Sequence, residues 1–205
     1  MYEVERVGRV GSGGVVAGLR LRALFGSTLV AAALSCAGVT PRPAFWDLVG
    51  GPAVTLVNLH PDDTKNILYS VNYQRGGLIP ICSEVMLLNF VRDELRFRVI
   101  ETGREYSYRN HSASGEAFED HLAKYFGTSC DRTFENELSE ADLKGIHSGR
   151  VHLGMSKRGT ILAIGYPPPH RTAGLEQPRW RYWSSRMNTF IVHFDREGLV
   201  EDILD

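Results

Sequence analysis

The chain has 205 residues, of which 43% are hydrophobic and 23% are charged, and its formal net charge is −1 at pH 7. This composition is typical of a globular protein with one domain or two small ones. No basic excess indicates a nucleic-acid partner, and no long acidic or basic run indicates a charged tail.

The first residues have the pattern of an export signal. Arg20 and Arg22 precede an uncharged apolar run, Ala23–Leu34, which ends in small residues and Cys36. Together these features predict a secretory signal. The run is shorter than the ~20 apolar residues that a membrane span needs, and a buried helix of the folded domain is the alternative.

Cys36 is the predicted attachment site of a lipid. The three residues before it resemble a bacterial lipobox, in which the cysteine is lipidated and becomes the new N-terminus. Ordinary signal-peptidase cleavage near Ala37 is the rival. We expect residues 1–36 to be a signal peptide with a lipobox-like end, and residues 37–53 to be a linker.

The three cysteines of the chain fit this interpretation. If Cys36 carries a lipid, Cys82 and Cys130 remain as an even pair in an oxidising compartment, where they are expected to form a disulfide. Two buried free thiols are the alternative.

Residues 54–110 carry several short runs of alternating apolar and polar residues, separated by glycine turns. Such runs, with no helix between them, predict a small antiparallel β-barrel or sandwich. The turn and strand from Gly76 to Val85 resemble those of bacterial SH3-like barrels. The predicted strands are residues 66–73, 78–85, 95–99 and 105–109.

Two serines are predicted to cap helices in the next part of the chain. Ser114 begins a run with helical spacing that reaches Phe126, so residues 111–137 are predicted to be a helical connector. Ser139 begins a second helix, because Asp142 follows three residues later as in a capping box.

Residues 138–205 are predicted to form a second α+β domain. The helix after Ser139 is expected to end near Gly149, and a further helix begins at Ser156 and ends at Gly165, before a run of prolines. Three aromatic-rich strands follow, so two helices should pack on one face of a three-stranded antiparallel sheet. The strands are predicted at residues 179–183, 190–194 and 199–204.

This domain carries an ordered series of short motifs. They are Gly149 with Val151, Gly154-Met155-Ser156, Ile161-Leu162, Gly165-Tyr166-Pro167-Pro168, Trp180 with Tyr182, Val192 with Phe194-Asp195, and Gly198-Leu199-Val200. The series resembles the SmpA/OmlA family, the BamE-like lipoproteins of the bacterial outer membrane. One position departs from the pattern: family helices usually carry an acidic residue three after the capping Ser or Thr, where this chain has Gly159.

The resemblance implies a non-enzymatic lipoprotein anchored at the periplasmic side of the outer membrane, with no cofactor. Family members serve as accessory subunits of the β-barrel assembly machine. Another envelope protein is therefore the expected partner, in a protein–protein interaction or in the assembly and integrity of the outer membrane.

The strand after the proline run is the candidate partner-binding surface. Arg179, Arg181 and Arg186 alternate with Trp180 or follow Trp183. Because the large aromatic residues cannot all lie on one face of the strand, at least one is expected to be exposed beside arginine, as at protein interfaces.

The residues allow two other functions. The β domain could bind peptidoglycan or another glycan through partly exposed tyrosines, and a hydrolase could use Cys82 or Cys130 with His121. The seven histidines lack the spacing of a metal site, so no metal and no catalytic residue is predicted. The tyrosines are Tyr69, Tyr73, Tyr106 and Tyr108.

Overall fold

A computed structural model describes residues 45–205. The predicted signal and the lipidation of Cys36 lie outside the described residues. The described residues belong to one compact unit. The fold is mixed α+β, with a curled six-stranded sheet, a separate three-stranded antiparallel sheet and a few short helices.

The six-stranded sheet has the order β2-β5-β4-β3-β1-β6. Its strands pair antiparallel, except that β2 and β5 run parallel. The expectation of a purely antiparallel barrel or sandwich is therefore wrong for this pair. The strands are β1 (Pro52–Thr55), β2 (Ile67–Tyr69), β3 (Glu84–Val91), β4 (Glu94–Val99), β5 (Glu105–Arg109) and β6 (Phe126–Gly127).

Strands β4 and β5 form where the sequence predicts them. In β4, Leu95 and Phe97 are fully buried, whereas Arg96 and Arg98 between and after them are exposed and pair with Glu105 across the hairpin. One buried and one solvated face give this alternation.

Two predicted strands are shorter or displaced. The run at residues 66–73 is a strand only at Ile67–Tyr69, because Asn66 and Asn72 both have a φ of 54°. The run at residues 78–85 is irregular until β3 begins, since Pro80 has no N–H and Cys82 has a φ of 63°. Neither Pro80 nor Cys82 can therefore take part in the regular hydrogen-bond pattern of a strand.

The predicted helix from Ser114 to Phe126 is also wrong in extent. Helix α1 spans only Phe118–Leu122, and Phe126 begins β6. The Ser114 hydroxyl does not cap it, because it donates to the Asn110 side chain and the Glu116 carbonyl.

The last part of the chain forms two helices and three strands in the expected order. The strands pair antiparallel as β7-β8-β9. Trp180, Tyr182 and Val192 are fully buried. They share one core cluster with Ala163 and Ile164, which lie in the later of these two helices. The elements are α2 (Glu140–Ser148), α3 (Lys157–Ile164), β7 (Arg179–Trp183), β8 (Thr189–Phe194) and β9 (Val200–Leu204).

One buried carboxylate holds the N-termini of α2 and α3 together. Asp142 forms the predicted capping box with Ser139, at 3.1 Å and 3.2 Å. It also accepts from the Ser156 backbone N–H at 2.7 Å and from the Ser156 hydroxyl. Ser156 in turn caps α3 through the Gly159 N–H. Helix α3 has no acidic residue in its first turn, and Asp142 of α2 takes that place at its N-terminus.

Gly159 leaves the space that this arrangement needs. A Cβ at Gly159 would overlap the Asp142 carboxylate. Gly159→Ala should therefore destabilise the protein by about 1–3 kcal/mol through overpacking. In an Asp142→Ala background only the Cβ of residue 142 remains, 2.8 Å from the added Cβ, so the same change should cost clearly less than in the wild-type protein. Urea unfolding of the four proteins measures this; equal effects in both backgrounds would contradict the steric explanation.

Side-chain amides from the first half of the chain hold the opposite ends of these helices. Buried Asn58 donates to the carbonyls of Ile146 in α2 and Ala163 in α3, at 2.7 Å and 3.1 Å, and accepts from the Ile81 N–H at 2.8 Å. Asn72 donates to the Ile164 carbonyl. The carbonyls that a helix leaves free at its C-terminus are thereby satisfied.

The predicted disulfide is present. Cys82 and Cys130 are bridged, with 5.3 Å between their Cα atoms, and both pack against the core cluster of the helices and the three-stranded sheet. The bridge joins the segment before β3 to the segment after β6.

Candidate functional site

Three strands of the fold end at a common edge. Strands β2 and β5 are parallel, so the segments that follow them leave the sheet side by side. Tyr73, beyond β2, forms a parallel bridge with Trp183 at the end of β7, and the Gln74 N–H donates to the Trp183 carbonyl at 2.8 Å. Loops that follow strand ends are common places for binding sites.

A cleft of about 280 Å³ opens among these loops. Its wall combines aromatic rings, basic side chains and a few small or apolar residues. The connection after α3 supplies two further lining residues, and the β7–β8 turn supplies another. The lining residues are Val71, Tyr73, His111, Ala113, His170, Arg171, Trp183 and Arg186.

The rings of the cleft contact one another in two groups. Tyr73 meets Tyr69 and His111 edge to face, with centroids 5.5 Å and 6.3 Å away. The His170 ring lies nearly parallel to Trp183, with centroids 6.4 Å apart and an angle of 19°. The two groups lie far apart in the sequence. The pairing of Tyr73 with Trp183 brings them together.

Buried or partly buried hydroxyls fix the loops. The Ser70 hydroxyl donates to Asn110 at 3.0 Å and accepts from the His111 N–H at 2.8 Å. On the other side, the Thr172 hydroxyl accepts from the Arg181 N–H at 3.1 Å and ties the loop after α3 to β7. The cleft is therefore largely formed before any ligand arrives.

The cleft has a positive character. Its lining includes Arg171, Arg186 and two histidines but no acidic residue. Within residues 45–205, neither arginine has an ion pair or a side-chain hydrogen bond. Partial burial, followed by the charges of Arg171 and His111, lowers the pKa of His170. An anion in the cleft would relieve this repulsion.

Two buried polar atoms of the cleft residues have no partner among the described residues. They are the indole nitrogen Nε1 of Trp183 and the ring nitrogen Nδ1 of His170. The Trp183 nitrogen is a donor, and the role of the His170 nitrogen depends on the tautomer of the ring. These cleft residues thus carry one unused donor and one ring nitrogen without a partner among the described residues.

The predicted partner-binding surface divides in the structure. Trp183 and Arg186 line the cleft. Arg179 and Arg181 are exposed along β7, on the same face of the strand as Trp183. Trp180 is completely buried, because it faces the helices, so its inclusion in the surface is wrong.

Sequence reasoning missed His111, His170 and Arg171 as members of this site. His111 and Trp183 are far apart in the sequence, and only the sheet pairing joins them. The proline run before His170 was the available signal, since it predicts a loop directly before a strand with exposed arginines.

A second polar cluster is buried in the core between the six-stranded sheet and α1. His121 donates from Nδ1 to Glu116 at 2.9 Å and accepts from the Tyr108 hydroxyl at Nε2, at 2.8 Å. Lys124 pairs with the same carboxylate at 2.6 Å. His121 and Tyr108 are 2% and 1% exposed, so no substrate reaches them and the cluster is structural.

Two buried histidines should make the protein sensitive to acid. Burial lowers the pKa of both His60 and His121 below the usual 6.5. The unfolded chain then binds protons first, so the free energy of unfolding should be constant above about pH 6.5 and fall below it. The slope is about 1.4 kcal/mol per pH unit for each histidine. Urea unfolding at a series of pH values measures it. A flat profile from about pH 7 down to the folded pKa values would contradict neutral buried rings.

No family model, no curated protein and no solved structure matches this chain. Within residues 45–205 no helix has the length and apolar character to cross a membrane. The same residues contain no group of three or more His, Cys, Asp or Glu side chains placed to hold a metal ion.

Proposed function

We propose that this protein is a non-enzymatic, lipid-anchored protein of the cell envelope that binds a protein partner through the cleft around Trp183 and Arg186. We also propose that residues 138–205 are a BamE-like module with a role in outer-membrane assembly or integrity. The observation that carries the binding function is the preformed cleft, in which aromatic rings stand beside unpaired arginines.

The composition of the cleft supports a protein partner. Trp, Tyr and Arg are the residues that contribute most to binding energy at protein interfaces. Here Tyr73, Trp183, Arg171 and Arg186 occupy one concave surface. The order helix, helix and three antiparallel strands is consistent with the BamE-like motifs, and the pattern around Cys36 supports export.

The contacts of the candidate nucleophiles argue against a hydrolase. Both sulfurs of Cys82 and Cys130 are held in the disulfide, so neither is a thiolate that could attack a substrate. His121 is buried and engaged at both ring nitrogens.

A pull-down from envelopes of the cells that produce the protein tests the binding function. Trp183→Ala combined with Arg186→Ala should reduce recovery of the partner at least tenfold. Arg179→Gln combined with Arg181→Gln, which changes the same strand outside the cleft, should leave more than half of it. If the cleft variant recovers the same proteins at wild-type yield, the cleft is not the binding site.

Mass spectrometry of the mature N-terminus tests the location. We expect the mature chain to begin at a diacylated or triacylated Cys36. An unmodified N-terminus near Ala37 would support export without an anchor, and an intact leader would contradict both.

Glycan binding is the second candidate, because Tyr73 and Trp183 both line the cleft and aromatic faces can stack on sugars. The expectation that Tyr106 and Tyr108 are partly exposed is wrong, because their exposed fractions are only 6% and 1%. Sedimentation with purified peptidoglycan tests this alternative. Failure of the wild-type protein to co-sediment would remove it.

A further inference from the structure

We infer that the cleft recognises a carboxylate of its polypeptide partner. This inference rests on the proposed function, which supplies a polypeptide as the partner, and it names the chemical group that the cleft takes.

The charges of the cleft select an anion. Arg171 and Arg186 line it without any ion pair from residues 45–205, and no acidic residue lines the wall. Guanidinium groups bind planar carboxylates through two parallel hydrogen bonds. Two guanidinium groups left unpaired in a concave site therefore favour a carboxylate over a neutral group.

The unpaired indole N–H of Trp183 favours the same group. The Trp183 indole N–H needs an acceptor, which a carboxylate oxygen supplies. A polypeptide partner offers such oxygens in its acidic side chains and at its C-terminus.

The Trp183 Nε1 and His170 Nδ1 atoms are covered by neighbouring protein atoms in the free chain. A ligand reaches them when the rings of His170 and Trp183, which lie nearly parallel, separate slightly. A buried polar group without a partner costs about 1–3 kcal/mol. Binding that supplies partners therefore removes a cost that the free protein carries.

Indole NMR signals of the full chain provide the test. The protein has three tryptophans and hence three indole N–H signals. Trp183→Phe identifies the signal of the cleft, and the signal of buried Trp180 reports whether each variant keeps its core. The probes are N-acetylglycine, which has a carboxylate and an N–H, its neutral analogue N-acetylglycinamide, and inorganic phosphate.

N-acetylglycine should move the Trp183 signal to saturation, and the amide should bind at least tenfold more weakly. Arg171→Gln and Arg186→Gln should each raise the Kd about tenfold, as expected for the loss of a charged hydrogen bond. Arg179→Gln, the matched control outside the cleft, should not change it. Equal binding of the amide, tighter binding of phosphate, or no movement with any probe would overturn the inference.

The two proposals can fail separately. A pull-down that depends on Trp183 and Arg186, with no response to N-acetylglycine, leaves the partner function standing and removes carboxylate recognition. A saturable response to N-acetylglycine without a cleft-dependent partner removes the protein–protein function instead.

Discussion

Asp142→Ala is expected to lower the free energy of unfolding by about 3–5 kcal/mol. The change removes the acceptor for the backbone N–H groups of Ser139 and Ser156 and for both hydroxyls. The N-termini of α2 and α3 then lose part of their capping together. Capping contributes about 0.5–2 kcal/mol at each helix, and buried hydrogen bonds to a charged group contribute more.

Urea unfolding measures this loss, with Glu140→Ala as the matched control. Glu140 is an exposed carboxylate in the first turn of the same helix, so its removal should change the stability by less than about 0.5 kcal/mol. A loss below about 1 kcal/mol for Asp142→Ala would show that the two helices do not share this carboxylate.

Asn58→Leu is expected to destabilise the protein by about 3 kcal/mol. Leucine keeps the branched shape of asparagine but has bulkier end groups, so the effect combines lost hydrogen bonds with some overpacking. The Ile81 N–H loses its side-chain acceptor, and the carbonyls of Ile146 and Ala163 each lose a donor. Ala163 keeps the hydrogen bond from His60, which limits the loss at that position.

The control is Asn89→Leu, the same change at an exposed position of β3. It should alter the free energy of unfolding by less than about 0.5 kcal/mol. If Asn58→Leu is as well tolerated as this control, Asn58 does not connect the first half of the chain to the C-termini of α2 and α3.

Local features of the fold could be predicted from the sequence because their causes are local. Ser139 and Ser156 cap helices as expected, and Gly149 ends α2 with a φ of 64°. Strand β4 was predictable because one face is buried and the other solvated. Each of these depends on residues within a few positions of one another.

Features that depend on distant partners could not be predicted. The irregular segment before β3 is apolar and β-branched, but Asn58 and Thr55 take its backbone groups and prevent a regular strand. In the sequence, Gly159 leaves the capping box of α3 without an acidic residue. The structure shows that Asp142 of α2 supplies the carboxylate. In each case a side chain from another element decides the local structure.

The candidate site illustrates the same limit. Trp183 and Arg186 were predicted from the strand pattern alone, because arginine beside a large aromatic residue indicates an interface. His111 and His170 could not be assigned to the site, since the parallel pairing of β2 with β5 and the bridge from Tyr73 to Trp183 bring them there.

Photo-crosslinking at the rim of the cleft tests the central claim most directly. Met187 is 89% exposed and follows Arg186, whereas Ile100, at 49% exposure, lies in the turn between β4 and β5. A photoreactive residue at position 187 should give a discrete adduct with one envelope protein, and the adduct should disappear with Trp183→Ala and Arg186→Ala. No adduct at position 187, or the same adduct from position 100, would contradict a partner-binding cleft.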